Sequence, residues 1–102
     1  MYAVEFTESA ESDLDSITDY LSVHLANPPA AEALLDAIDS AIANFSANPA
    51  IFPLCRDERL ADLGYRKSVV RSYIMIYSVD DSEEVVRILR FFHGSEDYAN
   101  KL

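Results

Sequence analysis

Residues 64–92 read GYRKSVVRSYIMIYSVDDSEEVVRILRFF, and what this stretch becomes decides the fold. It is rich in Val, Ile, Tyr and Phe, the side chains that suit a pleated, half-buried surface. Asp80-Asp81-Ser82 is a turn signal, and Arg71-Ser72 allows a tighter reversal without the usual glycine. Three strands are therefore expected, over 64–71, 73–79 and 85–92, as an antiparallel meander.

The segments before it carry a different period. Tyr2, Val4 and Phe6 alternate with smaller or polar residues, which predicts a short N-terminal strand with one buried face. Thr7 or Ser9 can cap a following helix whose first turn is acidic through Glu8 and Glu11. Ala10, Leu14, Ile17, Leu21 and Leu25 then recur at three- and four-residue steps, with Tyr20 alongside, as in an amphipathic helix of about four turns. Asn27-Pro28-Pro29 ends that helix and starts another. Its stripe is Ala31, Leu34, Leu35, Ile38, Ala41, Ile42 and Phe45, closed by Asn48-Pro49. The two helices make an αα-hairpin. Residues 49–63 read as a loop anchored by Ile51, Phe52 and Leu54, and residues 93–102 as at most one helical turn.

The order is βαα then βββ, an α+β architecture in one domain over residues 1–102. Helices packed on one face of a small antiparallel sheet would leave the other face open and, given its arginines, positive. A chain of this length buries roughly 60–70% of its unfolded surface, enough for a core without staples. The single cysteine, Cys55, excludes an internal disulfide and a Cys-rich zinc site. The N-terminus lacks a signal-peptide pattern and no apolar run spans a bilayer. A soluble cytoplasmic protein is expected, with no metal, cofactor or membrane association.

Charge is the strongest compositional asymmetry. The formal net charge is −10; residues 1–55 hold nine Asp or Glu and no Lys or Arg, and residues 56–102 hold nine acids and all eight bases. Such a chain is a poor general binder of nucleic acid, which needs several cations against phosphate. Arg66, Lys67 and Arg71 either balance the acidic helices, as surface pairs worth about 0–1 kcal/mol, or recognise a partner. Arg87 and Arg90, three apart on a strand, should point to opposite faces. His93 has the chemistry of a proton relay, and Tyr98 that of a stacking or relay residue; either can equally be ordinary surface or packing. His24 suits a helix C-terminus, and Cys55 reads as structural.

Several motifs in order carry a family resemblance. The strand VEFT leads into A-x-x-D-L-x-x-I-x-x-Y-L, seen as Ala10, Asp13, Leu14, Ile17, Tyr20 and Leu21. Later come GYRKSVV, YIMIYSVDD, VVRIL and HGSEDY. Together these resemble the RelE/ParE superfamily of toxins from bacterial type II toxin–antitoxin modules, often labelled plasmid stabilisation proteins, over essentially the whole chain. The resemblance implies an antitoxin whose C-terminal segment wraps the toxin in a hetero-oligomer, and one of two actions. RelE-like members are ribosome-dependent, metal-independent mRNA endoribonucleases (mRNA interferases) in which the RNA 2′-hydroxyl attacks its own phosphate. ParE-like members inhibit DNA gyrase through protein contacts.

Carried over residue by residue, an interferase would use Lys67, His93 and Tyr98 as catalytic groups, and Arg66, Arg71, Arg87 and Arg90 would bind target or antitoxin. The interferase pattern is incomplete: Tyr73 and Tyr77 match, but Ile74 stands where an arginine should follow. Glu96 and Asp97, between His93 and Tyr98, would repel phosphate. The resemblance thus favours the ParE-like, gyrase-directed side. The alternatives are an mRNA interferase, whose groups would have to converge on one cleft of the sheet, and a non-toxic binding module that keeps the fold.

Overall fold

A computed structural model describes residues 1–102. In chain order the elements are β1 (Ala3–Phe6), α1 (Glu8–Asp19), a π-helical turn (Tyr20–His24), α2 (Pro28–Ala47), α3 (Glu58–Asp62), β2 (Arg66–Val70), β3 (Tyr73–Asp80), β4 (Val85–His93) and a closing 3-10 turn (Tyr98–Asn100). The meander forms as its sequence predicts. β2 and β3 pair antiparallel with Arg66 opposite Tyr77, and β3 and β4 with Tyr73 opposite His93.

The expectation of a wholly antiparallel sheet fails at one pairing. β1 lies parallel to β4, Ala3 opposite Val85 through Phe6 opposite Ile88, giving the mixed order β1-β4-β3-β2. Chain direction explains it. α2, about 30 Å long at 1.5 Å per residue, returns the chain to the start of β1. There the Ser46 hydroxyl donates to the Tyr2 carbonyl at 2.6 Å and the Tyr2 N–H to the Ser46 carbonyl at 3.1 Å. β2 consequently starts at the same end as β1, and the third strand of an up-down-up meander runs the same way as β1.

Local chemistry sets the helix ends. The Thr7 hydroxyl accepts from the Ala10 N–H at 3.0 Å and lies 2.8 Å from the Leu89 carbonyl, to which it donates, so one residue caps α1 and ties it to β4. At the far end the Thr18 and Ser22 hydroxyls bond back to the Leu14 and Thr18 carbonyls, four residues earlier. Such back-bonding perturbs a helix, and here α1 widens into the π turn, closed by Leu25 N–H to the Tyr20 carbonyl. Asn27 caps α2 from its side chain, with prolines in the first turn.

The hairpin packs on one face of the sheet. Leu34, Ile38 and Phe45 of α2 meet Met75, Tyr77, Val86, Ile88 and Phe91 in the main core. The Tyr77 ring stacks on Phe45 with centroids 4.4 Å apart, and its hydroxyl donates to the Pro49 carbonyl at 3.0 Å.

The opposite face is not open, contrary to the expectation. Ile74, Ile76 and Phe92 project there and form a second core with Cys55 and Leu60, closed by Tyr65, Leu89, Tyr98 and Leu102. The segment read as a loop supplies much of this cover: it contains α3, capped by Asp57, and pairs Leu54 with Arg66 along the edge of β2. Three apolar side chains on one face of a sheet need such a cover. No helix is long and apolar enough to cross a membrane.

Arg87 and Arg90 also depart from expectation. The register slips between Ile76, opposite Arg90, and Tyr77, opposite Ile88, leaving Leu89 as the extra residue of a β-bulge. Arg87 faces Ser78 and Arg90 faces Ile76, two residues apart on β3, so both lie on the same face of the sheet.

Candidate functional site

The largest concavity, about 760 Å³, lies where the tip of the helical hairpin meets the β2–β3 turn and the end of β4. One wall is apolar: Ile17, Tyr20, Leu21 and Leu25 from α1 and its π turn, with Ala30 and Leu34 from α2. Tyr20 and Leu25 are about half exposed, at 50% and 52%, so the π turn displays apolar surface to solvent instead of burying it. The other wall is polar, with Arg71, Ser72, Tyr73, His93 and Glu96.

Backbone geometry builds the polar wall. Arg71 and Ser72 form a two-residue hairpin loop in which Arg71 has φ 55°, a position where glycine or asparagine is usual. Holding an arginine there costs roughly 1 kcal/mol. Gly94 allows β4 to close on that loop: its N–H donates to the Ser72 carbonyl at 2.8 Å, and a Cβ at Gly94 would meet the same oxygen at 3.1 Å.

Hydrogen bonds hold two of these polar groups, His93 and Glu96. The Ser95 N–H donates to His93 Nδ1 at 3.2 Å, with the Ser95 hydroxyl 2.7 Å from the same atom. Nδ1 is therefore an acceptor, and the neutral ring carries its proton on Nε2. The Tyr73 ring meets the imidazole edge-on at 5.5 Å. Glu96 is already engaged: Oε2 accepts from Lys101 Nζ at 2.7 Å and Oε1 from the His93 N–H at 2.8 Å. Those two bonds, the lysine's first, hold its carboxyl below the usual glutamate range. Arg71 has no carboxylate within 4.0 Å.

The structure separates most of the other residues that the sequence singled out. Arg66 lies on the helix side at the far end of the sheet, donating to the Phe52 carbonyl at 2.7 Å. The Arg66–Tyr77 and Tyr73–His93 pairs are four residues apart along β3, about 13 Å of strand. Lys67 lies on the opposite face, its Nζ 5.7 Å from the centre of the Tyr98 ring, beside Cys55. Burial pushes both the Cys55 thiol and the Tyr98 hydroxyl up, against proton release. Arg87 bridges Glu5 at 3.4 Å and Asp80 at 3.5 Å. Arg90 makes a two-pronged pair with Asp13, Nε at 2.7 Å and Nη2 at 3.1 Å. Lys67, His93 and Tyr98 thus do not converge on one cleft; only Lys67 and Tyr98 meet.

With this geometry in view, comparison with known proteins is specific. The profile of the ParE toxin of the type II toxin–antitoxin system, parDE, matches residues 4–98. The chain belongs to the ParE toxin family. Its fold is similar to a chain of the chromosomal ParDE TA system from P. aeruginosa, with TM-score 0.69 and 22% identity over 91% of this chain and 96% of that one. A chain of the RelBE2 toxin–antitoxin complex from Mycobacterium tuberculosis has TM-score 0.63 and 27% identity, over 90% and 96%. A chain of the intact E. coli RelBE complex gives 0.63 and 17%, over 94% and 100%. No curated protein sequence matches.

As a ParE-family toxin of the RelE/ParE superfamily, this chain presents Arg71 and His93 together on one groove, a pairing that the sequence did not reveal. Both residues stood out as types. Their meeting depends on the Gly94–Ser72 contact, for which the signal was a glycine directly after the last strand.

Proposed function

We propose that this toxin acts in the ParE-like mode, on a protein target, DNA gyrase, and is silenced by a cognate antitoxin. One observation carries the choice over RNA cleavage: the nuclease candidates are dispersed. General acid–base catalysis requires donor and acceptor within hydrogen-bond reach of the reacting atoms. His93 sits on the groove at the helix side, while Lys67 and Tyr98 sit on the opposite face, with Lys67 stacked against an aromatic ring. The acidic hairpin adds an unfavourable field for RNA phosphate. The groove, with its apolar hairpin wall, supports an amphipathic antitoxin segment docking by its apolar face, in keeping with the toxin–antitoxin complexes that share this fold.

The contact between Lys67 and Tyr98 keeps the interferase as a second reading. Inducible expression in a bacterium separates the two. Growth arrest with altered plasmid supercoiling or DNA breaks, and intact messages, is the expected result. Codon-phased mRNA cuts that vanish in Lys67→Ala would overturn it. Growth without arrest, together with tight antitoxin binding, would mark a non-toxic binding module.

A further inference from the structure

The groove's polar wall presents unpaired donors and no unpaired carboxylate. Arg71 has no carboxylate partner, and His93 is fixed by Ser95 in the tautomer that leaves Nε2–H as its remaining donor. Glu96, the one carboxylate on this wall, has both oxygens bonded within the protein. Opposite lies a run of apolar side chains. We propose that the groove reads an acidic residue of the antitoxin: an amphipathic segment seats its apolar stripe on Ile17, Leu21 and Leu25 and places an Asp or Glu side chain on Arg71 and His93. The inference rests on the antitoxin reading above and names the chemistry by which this groove recognises its partner.

The backbone at Arg71 supplies a further reason. Ala26 and Glu84 share the positive φ, so strain alone does not single Arg71 out; an unpaired guanidinium held on a strained turn at the groove is the combination that points to a function. Arg71 makes no side-chain hydrogen bond or ion pair within the protein that would repay the positive φ. Its guanidinium, rigid and forked, matches a carboxylate in two-pronged geometry. Gly94 holds the loop close enough to β4 for the imidazole to share the same wall.

The test measures affinity between the whole toxin and its co-encoded antitoxin, alongside thermal stability. Arg71→Gly is expected to keep or raise the Tm, because strain is relieved, while weakening binding about 10–100-fold, the range for a charge-assisted pair. Arg71→Gln should weaken it similarly without the added backbone freedom. Arg71→Lys should restore part of it. A scan of antitoxin Asp→Asn and Glu→Gln variants should find one position with the same loss, and combining it with Arg71→Gln should add little further. Unchanged affinity in Arg71→Gly and Arg71→Gln, or no acidic position that couples to Arg71, would overturn the carboxylate assignment while leaving the antitoxin reading intact. A wild-type toxin that does not bind the antitoxin would overturn both.

Discussion

Asp13 concentrates several constraints in one side chain. β1 stops pairing with β4 at Phe6 opposite Ile88, and the bulge follows at Leu89, so the Phe91 N–H is left without a strand partner. Asp13 Oδ2 accepts that N–H at 3.0 Å while the carboxylate also takes both prongs of Arg90. Its side chain is only 19% exposed, which separates it from the surface pairs that contribute almost nothing. Arg90, read from sequence as a binding residue, thus acts as the anchor of α1 on β4, and its guanidinium also lies 4.8 Å from the centre of the Phe92 ring. Removing the acid strands an amide and a partly buried guanidinium. Asp13→Ala is predicted to lower unfolding free energy by about 2–3 kcal/mol, seen as a lower urea midpoint with unchanged slope. A loss below about 0.5 kcal/mol would reduce the triad to a surface pair.

At the level of elements, the junction between the β2–β3 turn and the end of β4 is the least forgiving. Gly94→Ala would press a methyl group against the Ser72 carbonyl at 3.1 Å. We predict a stability loss of about 1 kcal/mol, with chemical-shift changes confined to residues 71–73 and 93–95; shifts spread through α2 would contradict this local account. Such junctions also show where sequence reading succeeds and where it stops. The meander, both helices, the Thr7 cap and the Asn27-Pro28-Pro29 break were legible because period, capping and turn chemistry are local. The parallel pairing of β1 was not, since it depends on where a 20-residue helix delivers the chain. The second core did leave a trace: Tyr73 to Tyr77 is an unbroken apolar run, the mark of a strand buried on both faces, which an open face cannot accommodate. The common face of Arg87 and Arg90 left none, because a single bulge residue inverts the alternation that sequence counting assumes. The candidate site follows the same rule: its residue types were visible, and its division between two faces was set by register.

For the whole molecule, electrostatics is divided as the sequence is, with an acidic hairpin against a C-terminal half that carries every Lys and Arg, and its pH dependence follows from particular bonds. Asp80 is held below the usual aspartate range, first by the Ser82 hydroxyl at 2.7 Å and then by the Glu83 N–H at 3.1 Å. Glu96 is held low first by Lys101 and then by the His93 N–H. In both, the folded protein binds a proton less readily than the unfolded chain, whose values lie near 3.9 for Asp and 4.3 for Glu. Their stabilisation is therefore complete above about pH 5 and is lost as pH falls through the depressed folded values. Cys55 and Tyr77 work in the other direction. Burial raises both, so the fold favours their neutral forms. That contribution is complete below the unfolded values, near 8.5 and 10, and declines as pH rises beyond them. A plateau with an acid and an alkaline shoulder is expected in urea midpoints measured across pH. Glu96's share of the acid shoulder can be isolated, because its first partner is a single lysine. Lys101→Ala should lower the plateau slightly and flatten the loss between pH 5 and pH 3, since the variant's Glu96 no longer differs as much between folded and unfolded states. An acid shoulder of undiminished slope in Lys101→Ala would place the acid sensitivity elsewhere, and the C-terminal residues that close the second core would then owe their hold to Tyr98 and Leu102 packing rather than to charge.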